Sequence, residues 1–322
     1  MIGRRGLALL GGAAAAALGG GLLLAPEAGR QGPAPAPAFP GLAERLPRAA
    51  RVELRQDGAA LNLLRQGDVW GIAERHGHPC QTNRLRELFA GLSELRLLEP
   101  RPAEARTGTD GALAAPAVLI RVLDAEGAPL AELVLGQRRS RPGEETAFVR
   151  RPGETHAWLA ETRLAIPLDP QLWLERAIAD LPAQRLRRVE VMRAGEARLV
   201  LHRPGEVDAP LVIIEPRQPE RPDGVALDTM GRVFEGLSLL DVARAAEAPG
   251  DALGEARFVF TDNLSIAAWP RRAGDQLWVT LRATGDAEAA ALNRRWTPWR
   301  YNLGSWTEAM LIPRLEDLLE GR

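Results

Sequence analysis

Within one short stretch, His76-Gly77-His78-Pro79-Cys80, the chain offers two imidazoles and its single thiol. These are ligand types of a tetrahedral zinc centre, which needs a fourth ligand to close. Glu74 is the nearest candidate, and His156 or His202 could join only through folding. The plainer account makes the stretch a turn from strand to helix, with Pro79 and Thr82 fixing its geometry and the histidines solvated. That account is preferred, so His76, His78 and Cys80 stand only as weak metal candidates. Ser93 and Ser238 each end a Gly-Leu-Ser in a leucine-rich segment, without the Gly-x-Ser-x-Gly elbow of a serine hydrolase. The pairs Glu144-Glu145 and Glu316-Asp317 are adjacent, so their side chains diverge on a strand or helix and read as solvated charge. No catalytic residue, metal or cofactor is expected, and the protein reads as a non-enzyme.

A second group is aromatic. Trp296, Trp299, Tyr301 and Trp306 lie close together near the end of the chain. Such a cluster closes a core, stacks on a sugar, or enters a protein interface, where aromatic residues are enriched. Core closure is preferred, and the four residues are kept as a possible interaction surface.

Composition narrows the chemistry further. The 322 residues carry a formal net charge of −1 with arginines and acids interspersed, so nothing concentrates positive charge for nucleic acid. Lysine is absent, which removes Schiff-base catalysis and the lysine of a phosphate-binding Walker loop. One cysteine allows neither an internal disulfide nor a Cys-x-x-Cys redox pair.

The elements that would position these groups follow from patterning. Arg4-Arg5 precede an uncharged run from Gly6 to Ala25 that Pro26 and Glu27 end. About 20 helical residues match a hydrocarbon core of roughly 30 Å, and the leading arginines keep that end in the cytoplasm. Residues 1–26 therefore read as a membrane anchor or signal segment. Retention is preferred, because the apolar part of a cleaved signal is usually about 7–15 residues, although Ala36-Pro37-Ala38 offers a small-x-small site. Residues 27–45, rich in proline and alanine, read as an extended spacer that holds the folded part off the bilayer.

From Arg51 the alternation Val52/Leu54, Leu61/Leu63, Val69/Ile72, with turns at Asp57-Gly58 and Gly67-Asp68, predicts an antiparallel meander. Leu85, Leu88, Phe89, Leu92, Leu95 and Leu98 then recur at helical spacing. The opening occurs twice: Arg51-Val52-Glu53-Leu54 with Asp57-Gly58 is matched by Arg188-Val189-Glu190-Val191 with Ala194-Gly195. Phe89, Gly91, Leu92 and Ser93 likewise match Phe234, Gly236, Leu237 and Ser238. The expectation is an α+β fold of two related modules, each an antiparallel sheet with a packed helix. The first module spans 46–167. A connector helix over 168–186 starts at Asp169-Pro170, and the second module spans 187–322 with a helix around Met230–Ala245 and a closing C-terminal helix.

Further motifs carry a resemblance. Trp70 and Gly71 close a strand, Pro79 precedes the first helix, and Leu92-Ser93-Glu94-Leu95-Arg96-Leu97 lies within it. Next come Leu133-Val134-Leu135-Gly136, Phe148-Val149-Arg150-Arg151 with Trp158-Leu159-Ala160, and Trp173-Leu174-Glu175-Arg176 leading to Leu181-Pro182. Trp299-Arg300-Tyr301 and Leu315-Glu316-Asp317-Leu318-Leu319 end the series. In that order, and over nearly everything after residue 45, they resemble the uncharacterised bacterial family catalogued as domain of unknown function 4340. The resemblance implies a single-pass protein of the bacterial inner membrane with its C-terminal part in the periplasm. It also implies ABC transporter subunits of the gliding-motility or auxiliary type as partners. It carries no catalytic residues, and His76-Gly77-His78-Pro79-Cys80 departs from the small or acidic residues usual there. The expected function is accordingly a membrane-anchored accessory or scaffold of an ABC-type transport complex, with a periplasmic glycan- or peptide-binding protein as the alternative.

Overall fold

The computed structural model describes residues 35–101, 117–141, 144–205, 209–217, 221–247 and 250–321. The apolar run at 6–25 lies outside them, as do residues 27–34 of the region expected to be a spacer. No helix among the described residues is long and apolar enough to cross a membrane. The architecture is mostly antiparallel sheet with a few helices, in keeping with an α+β class.

The first sheet has ten strands: β1 (Ala36–Pro37), β2 (Arg51–Gln56), β3 (Ala59–Gln66), β4 (Val69–Ile72), β5 (His78–Pro79), β6 (Arg96–Arg101), β7 (Val118–Leu123), β8 (Pro129–Arg141), β9 (Glu144–Arg150) and β10 (Ala157–Glu161). Their order is β1-β6-β10-β9-β8-β7-β2-β3-β4-β5. Period-two patterning sets the faces: Val52, Leu54, Leu61 and Leu63 are fully buried. Between them Glu53 points to the other face, where Arg51, Arg55 and Arg121 pair with its carboxylate. Helix α1 (Leu42–Arg45) buries Leu42, and α2 (Thr82–Glu94) adds Leu85, Leu88 and Leu92 to the same core. Residues 36–45 are thus folded against this sheet, where a spacer was expected. Ala36 pairs with Leu97, and Ala38 is buried.

A short two-stranded element, β11 (Ala177–Ala179) with β15 (Leu237–Ser238), comes next. The second sheet holds β12 (Leu186–Arg193), β13 (Leu199–His202), β14 (Val212–Glu215), β16 (Asp241–Arg244), β18 (Gly254–Phe260), β19 (Ser265–Ala273), β20 (Gln276–Thr284) and β21 (Trp299–Leu303), with β17 (Asp251–Ala252) on β19. Its order is β14-β13-β12-β18-β19-β20-β21-β16. Along the chain, both sheets obey one plan. A three-stranded meander (β2–β4, β12–β14) leads through a helix to a strand on the far side of the sheet, β6, which only β1 flanks, or β16, which is the edge. Four further strands (β7–β10, β18–β21) then fill the gap. The helices here are α3 (Gly224–Gly231), α4 (Ala287–Trp296) and α5 (Glu308–Leu311).

Four helices depart from expectation. The first, α2, ends at Glu94, and Leu97 and Leu98, expected to extend it, lie in β6. Asp169 does accept a hydrogen bond from the Gln171 N–H at 2.9 Å, but the connector makes only a single 3-10 turn, Pro170–Trp173, before it becomes extended. The helix expected around Met230–Ala245 sits earlier, at Gly224–Gly231, because the Asp223 carboxylate caps it by accepting from Val225 and Ala226. The matched Phe-x-Gly-Leu-Ser letters therefore do not share structure: Gly91 is helical, whereas Gly236 has φ 61° and turns the chain into β15. The closing helix is also shorter, a 3-10 turn at Leu315–Leu318.

Candidate functional site

Of the residues singled out for chemistry, His78, Cys80, Trp299 and Tyr301 come together at the seam between the sheets. After β4 the chain reverses through His76 and Gly77, both left-handed at φ 55° and 83°. The return brings the Gly77 carbonyl so close to Gly71 that a Cβ there would have no room. Glu74, the nearest expected fourth ligand, is spent on the neighbouring strand β3. Its carboxylate accepts from the Asn62 backbone N–H at 3.0 Å and from the Asn62 amide at 2.7 Å.

The connector then joins this edge as a further extended segment. Gln81 N–H donates to the Trp173 carbonyl at 2.7 Å, Glu175 N–H donates to the Pro79 carbonyl at 2.9 Å, and Cys80 bridges Leu174. This tertiary pairing explains why the connector is not a helix: its backbone groups find partners across the seam instead of four residues back.

The second sheet supplies the other wall. Arg75 grips Asp241 of β16 in a fork, Nε to Oδ1 at 2.6 Å and Nη2 to Oδ2 at 3.0 Å, and Gln171 donates to the same carboxylate at 3.0 Å. Burial would raise the Asp241 pKa, but the bonds from Arg75, Gln171 and the Val242 N–H outweigh it and hold the carboxyl below its ordinary value. His78 is buried, its ring 5.0 Å from that of Trp299 and 6.4 Å from that of Tyr301, both edge-on. On Trp299 also lies the Arg244 guanidinium, 4.4 Å from the ring centre, which donates to the His76 carbonyl at 2.9 Å.

Burial governs the protons here. It pulls His78 down to about 4, against smaller opposing effects of the Pro79 carbonyl, Glu175 and Asp241. The ring is therefore neutral near pH 7, and its 3.2 Å contact with the Pro79 carbonyl puts the proton on Nδ1. Burial also pushes the Cys80 thiol up to about 11, which suppresses the thiolate needed for nucleophilic or metal chemistry. Tyr301 is raised in the same way, its hydroxyl donating to the Arg295 carbonyl at 3.3 Å.

The structure thus unites two groups that were separate in the sequence, His78 and Cys80 with Trp299 and Tyr301. His76 is exposed, and His156 stacks on Trp158 at 5.1 Å. Among the described residues no three His, Cys, Asp or Glu side chains converge in a metal-binding arrangement. Trp296 is core, donating to the Ile178 carbonyl at 3.0 Å, whereas Trp306 is 69% exposed over Gly304. Ser93 bonds back to the Phe89 carbonyl within α2. Arg75, Gln171, Asp241 and Arg244 were not singled out in the sequence. Partners as far as 168 residues apart look like ordinary surface charge when read locally.

No curated protein and no solved structure matches the chain. A family model does, over residues 70–254, from the strand that leads into the seam loop to the start of β18. That stretch is more than half of the sequence and includes both Arg75 and Asp241. The chain belongs to the family described as domain of unknown function (DUF4340).

Proposed function

We propose that this protein is a non-enzymatic scaffold, anchored in the bacterial inner membrane by residues 6–25, whose two related modules stand in the periplasm as an accessory of an ABC-type transport complex. The observation that carries the non-catalytic reading is the state of the seam. Each group that could react there is committed to packing: the Cys80 thiol is buried and protonated, His78 is neutral between two rings, and Asp241 is saturated with donors. Such a seam fixes the angle between two sheets, which is what a scaffold requires. The kinship of the modules is supported by their common strand plan. The anchor is supported by Arg4-Arg5 and the uncharged run after them. The transport partner rests on the family resemblance. Solubilisation of membranes in mild detergent should recover the protein together with transporter subunits; recovery alone, or from the soluble fraction, would overturn the proposal.

Exposed Trp306 favours a second reading, a periplasmic glycan- or peptide-binding protein. In that case cell-wall fragments quench tryptophan fluorescence in the native protein but not in Trp306→Ala.

A further inference from the structure

The second sheet carries an aromatic face that the seam does not use. Ile266, Ala268, Val279 and Leu281 are buried in the core, so the alternate residues of β19 and β20 stand on the other side of the sheet. There Trp269 is 36% exposed and Trp278 is half-buried. The register sets Trp269 opposite Thr280 and Trp278 opposite Arg271, which makes the two tryptophans diagonal neighbours, with Cα atoms about 7–8 Å apart. Arg282 is the other diagonal neighbour of Trp269, and Asn302 of β21 lies opposite Trp278.

The rings are held in place by their own neighbours. The Trp269 N–H donates to the Glu255 carboxylate at 3.2 Å and the Trp278 N–H to the Gln276 amide oxygen at 3.0 Å, while the Arg300 guanidinium lies 4.7 Å from the Trp278 ring centre. Both indoles therefore offer a partner apolar surface and no donor. The polar groups around them are the reverse. The Thr280 hydroxyl, the Arg282 guanidinium and the side-chain amide of Asn302 have no partner among the described residues, although Asn302 is only 7% exposed. A buried amide left unmet demands an explanation, and a ligand supplies one.

Three observations select that ligand. First, β18, β19, β20 and β21 each have a strand on both sides, so this face offers no open edge to an extended peptide. Second, unmet groups that both donate and accept, set beside bare indole surface, match hydroxyls carried on a flat ring with apolar C–H faces. Third, among the residues that β18–β21 present on this side, Arg257, Arg271, Arg282 and Arg300 stand against one acid, Glu255, which complements a negatively charged partner. An anionic bilayer would meet the charge but would leave the Asn302 amide unmet and press on the Glu255 carboxylate.

We propose that this face of the second sheet binds an acidic saccharide chain, with one sugar ring on Trp269, its carboxylate on Arg282, and the hydroxyls of the next ring on Asn302 beside Trp278. The inference goes beyond the scaffold reading and does not depend on it. It also differs in place from a glycan site at Trp306, which lies in the turn after β21.

The probe is an oligogalacturonate six sugars long, titrated against the full-length protein in a sugar-free detergent and read by calorimetry. Its methyl ester keeps the rings and loses the charges, and should bind about ten-fold more weakly, the usual scale of a charge-assisted bond. Arg282→Gln should lose about ten-fold for the acid and bind the ester as the native protein does. Trp269→Ala should lose about ten-fold for both, as an aromatic anchor does. Both side chains are exposed, so the thermal melts of these variants should match that of the native protein. The proposal is overturned if the oligogalacturonate fails to bind, if either variant binds it as tightly as the native protein, or if a hexaglutamate peptide or phosphatidylglycerol vesicles bind equally well in an Arg282-dependent way. Binding that Trp306→Ala abolishes and Trp269→Ala spares would move the glycan to the turn and overturn it too. Co-purification of transporter subunits with Trp269→Ala decides the scaffold reading separately.

Discussion

The third strand of each meander meets a different fate. In the first sheet the edge beyond β4 is closed: the chain doubles back as β5, the connector pairs with it through Trp173 and Glu175, and Asp241, Arg244 and Trp299 of the second sheet cover it. In the second sheet the equivalent edge, β14, ends the strand order with Val212 and Ile214 37% and 41% exposed. Pro210 and Pro216 bracket β14 and keep it short, a common way to blunt an edge against unwanted pairing. One strand plan thus yields two edges, and the one that is closed is closed by the other half of the chain. The seam therefore depends less on the sheet itself than on two features beyond β4: a glycine-permitted reversal and a connector with free backbone groups.

The sharpest way to break this contrast is to remove one large side chain from each edge. Trp173 is 1% exposed and its indole N–H donates to the Pro167 carbonyl at 2.8 Å. Trp173→Ala should cost about 4 kcal/mol, the usual scale for emptying an aromatic core site. Ile214→Ala, at the bare edge, should cost less than about 0.5 kcal/mol, as surface changes do. Urea unfolding of both variants measures the difference. Similar losses would mean that β14 is covered in solution and that the edges are alike.

Acid tests the closed edge alone. His78 has a folded pKa of about 4 against an ordinary 6.5, so between those values the unfolded chain binds the extra proton. Stability is then full above about pH 6.5 and falls as pH drops toward 4. The carboxylates held below their ordinary values, Asp241 and Glu308 among them, add to the loss only as pH approaches their unfolded values near 4. The window from 6.5 to 5 therefore isolates the imidazole, and about 2 kcal/mol should be lost across it. His78→Gln should flatten that slope. A slope that persists in the variant would place the titrating group elsewhere.

The legible part of the molecule was whatever is local. Val52/Leu54 and Leu61/Leu63 around Asp57-Gly58 marked a hairpin that formed as expected, with Leu54 opposite Leu61. The leucine spacing marked α2 from Leu85 to Leu92, but the stripe expected to run on to Leu98 breaks at Glu94, where the chain turns into β6. The hidden part depends on contacts distant in sequence. Asp169-Pro170 signals a helix start correctly, yet the backbone after Trp173 pairs with Pro79 and Gln81, and no local pattern encodes that competition. Recurrent letters around Gly91 and Gly236 suggested two helices, but a left-handed glycine made the second a turn. At the seam, His78 and Trp299 were each conspicuous by type, whereas their stacking, and the fork of Arg75 on Asp241, exist only once the two sheets meet.

The smallest effect probes where the sheets should agree. Gly58 and Gly195 occupy the turns after β2 and β12, with φ 76° and 78°, and a Cβ would meet nothing within 4 Å at either. With packing removed from the comparison, each Gly→Ala change should cost only the left-handed backbone penalty of about 1 kcal/mol. Equal losses for Gly58→Ala and Gly195→Ala, read from denaturant midpoints at constant slope, would mean that the two hairpins are held alike even though their sheets end differently. If Gly195→Ala costs several times more, its turn carries a constraint that Gly58 lacks. Since β12 pairs with β18 up to Arg193 opposite Gly254, that constraint would lie in the second sheet, and the shared strand plan would extend to topology but not to energetics.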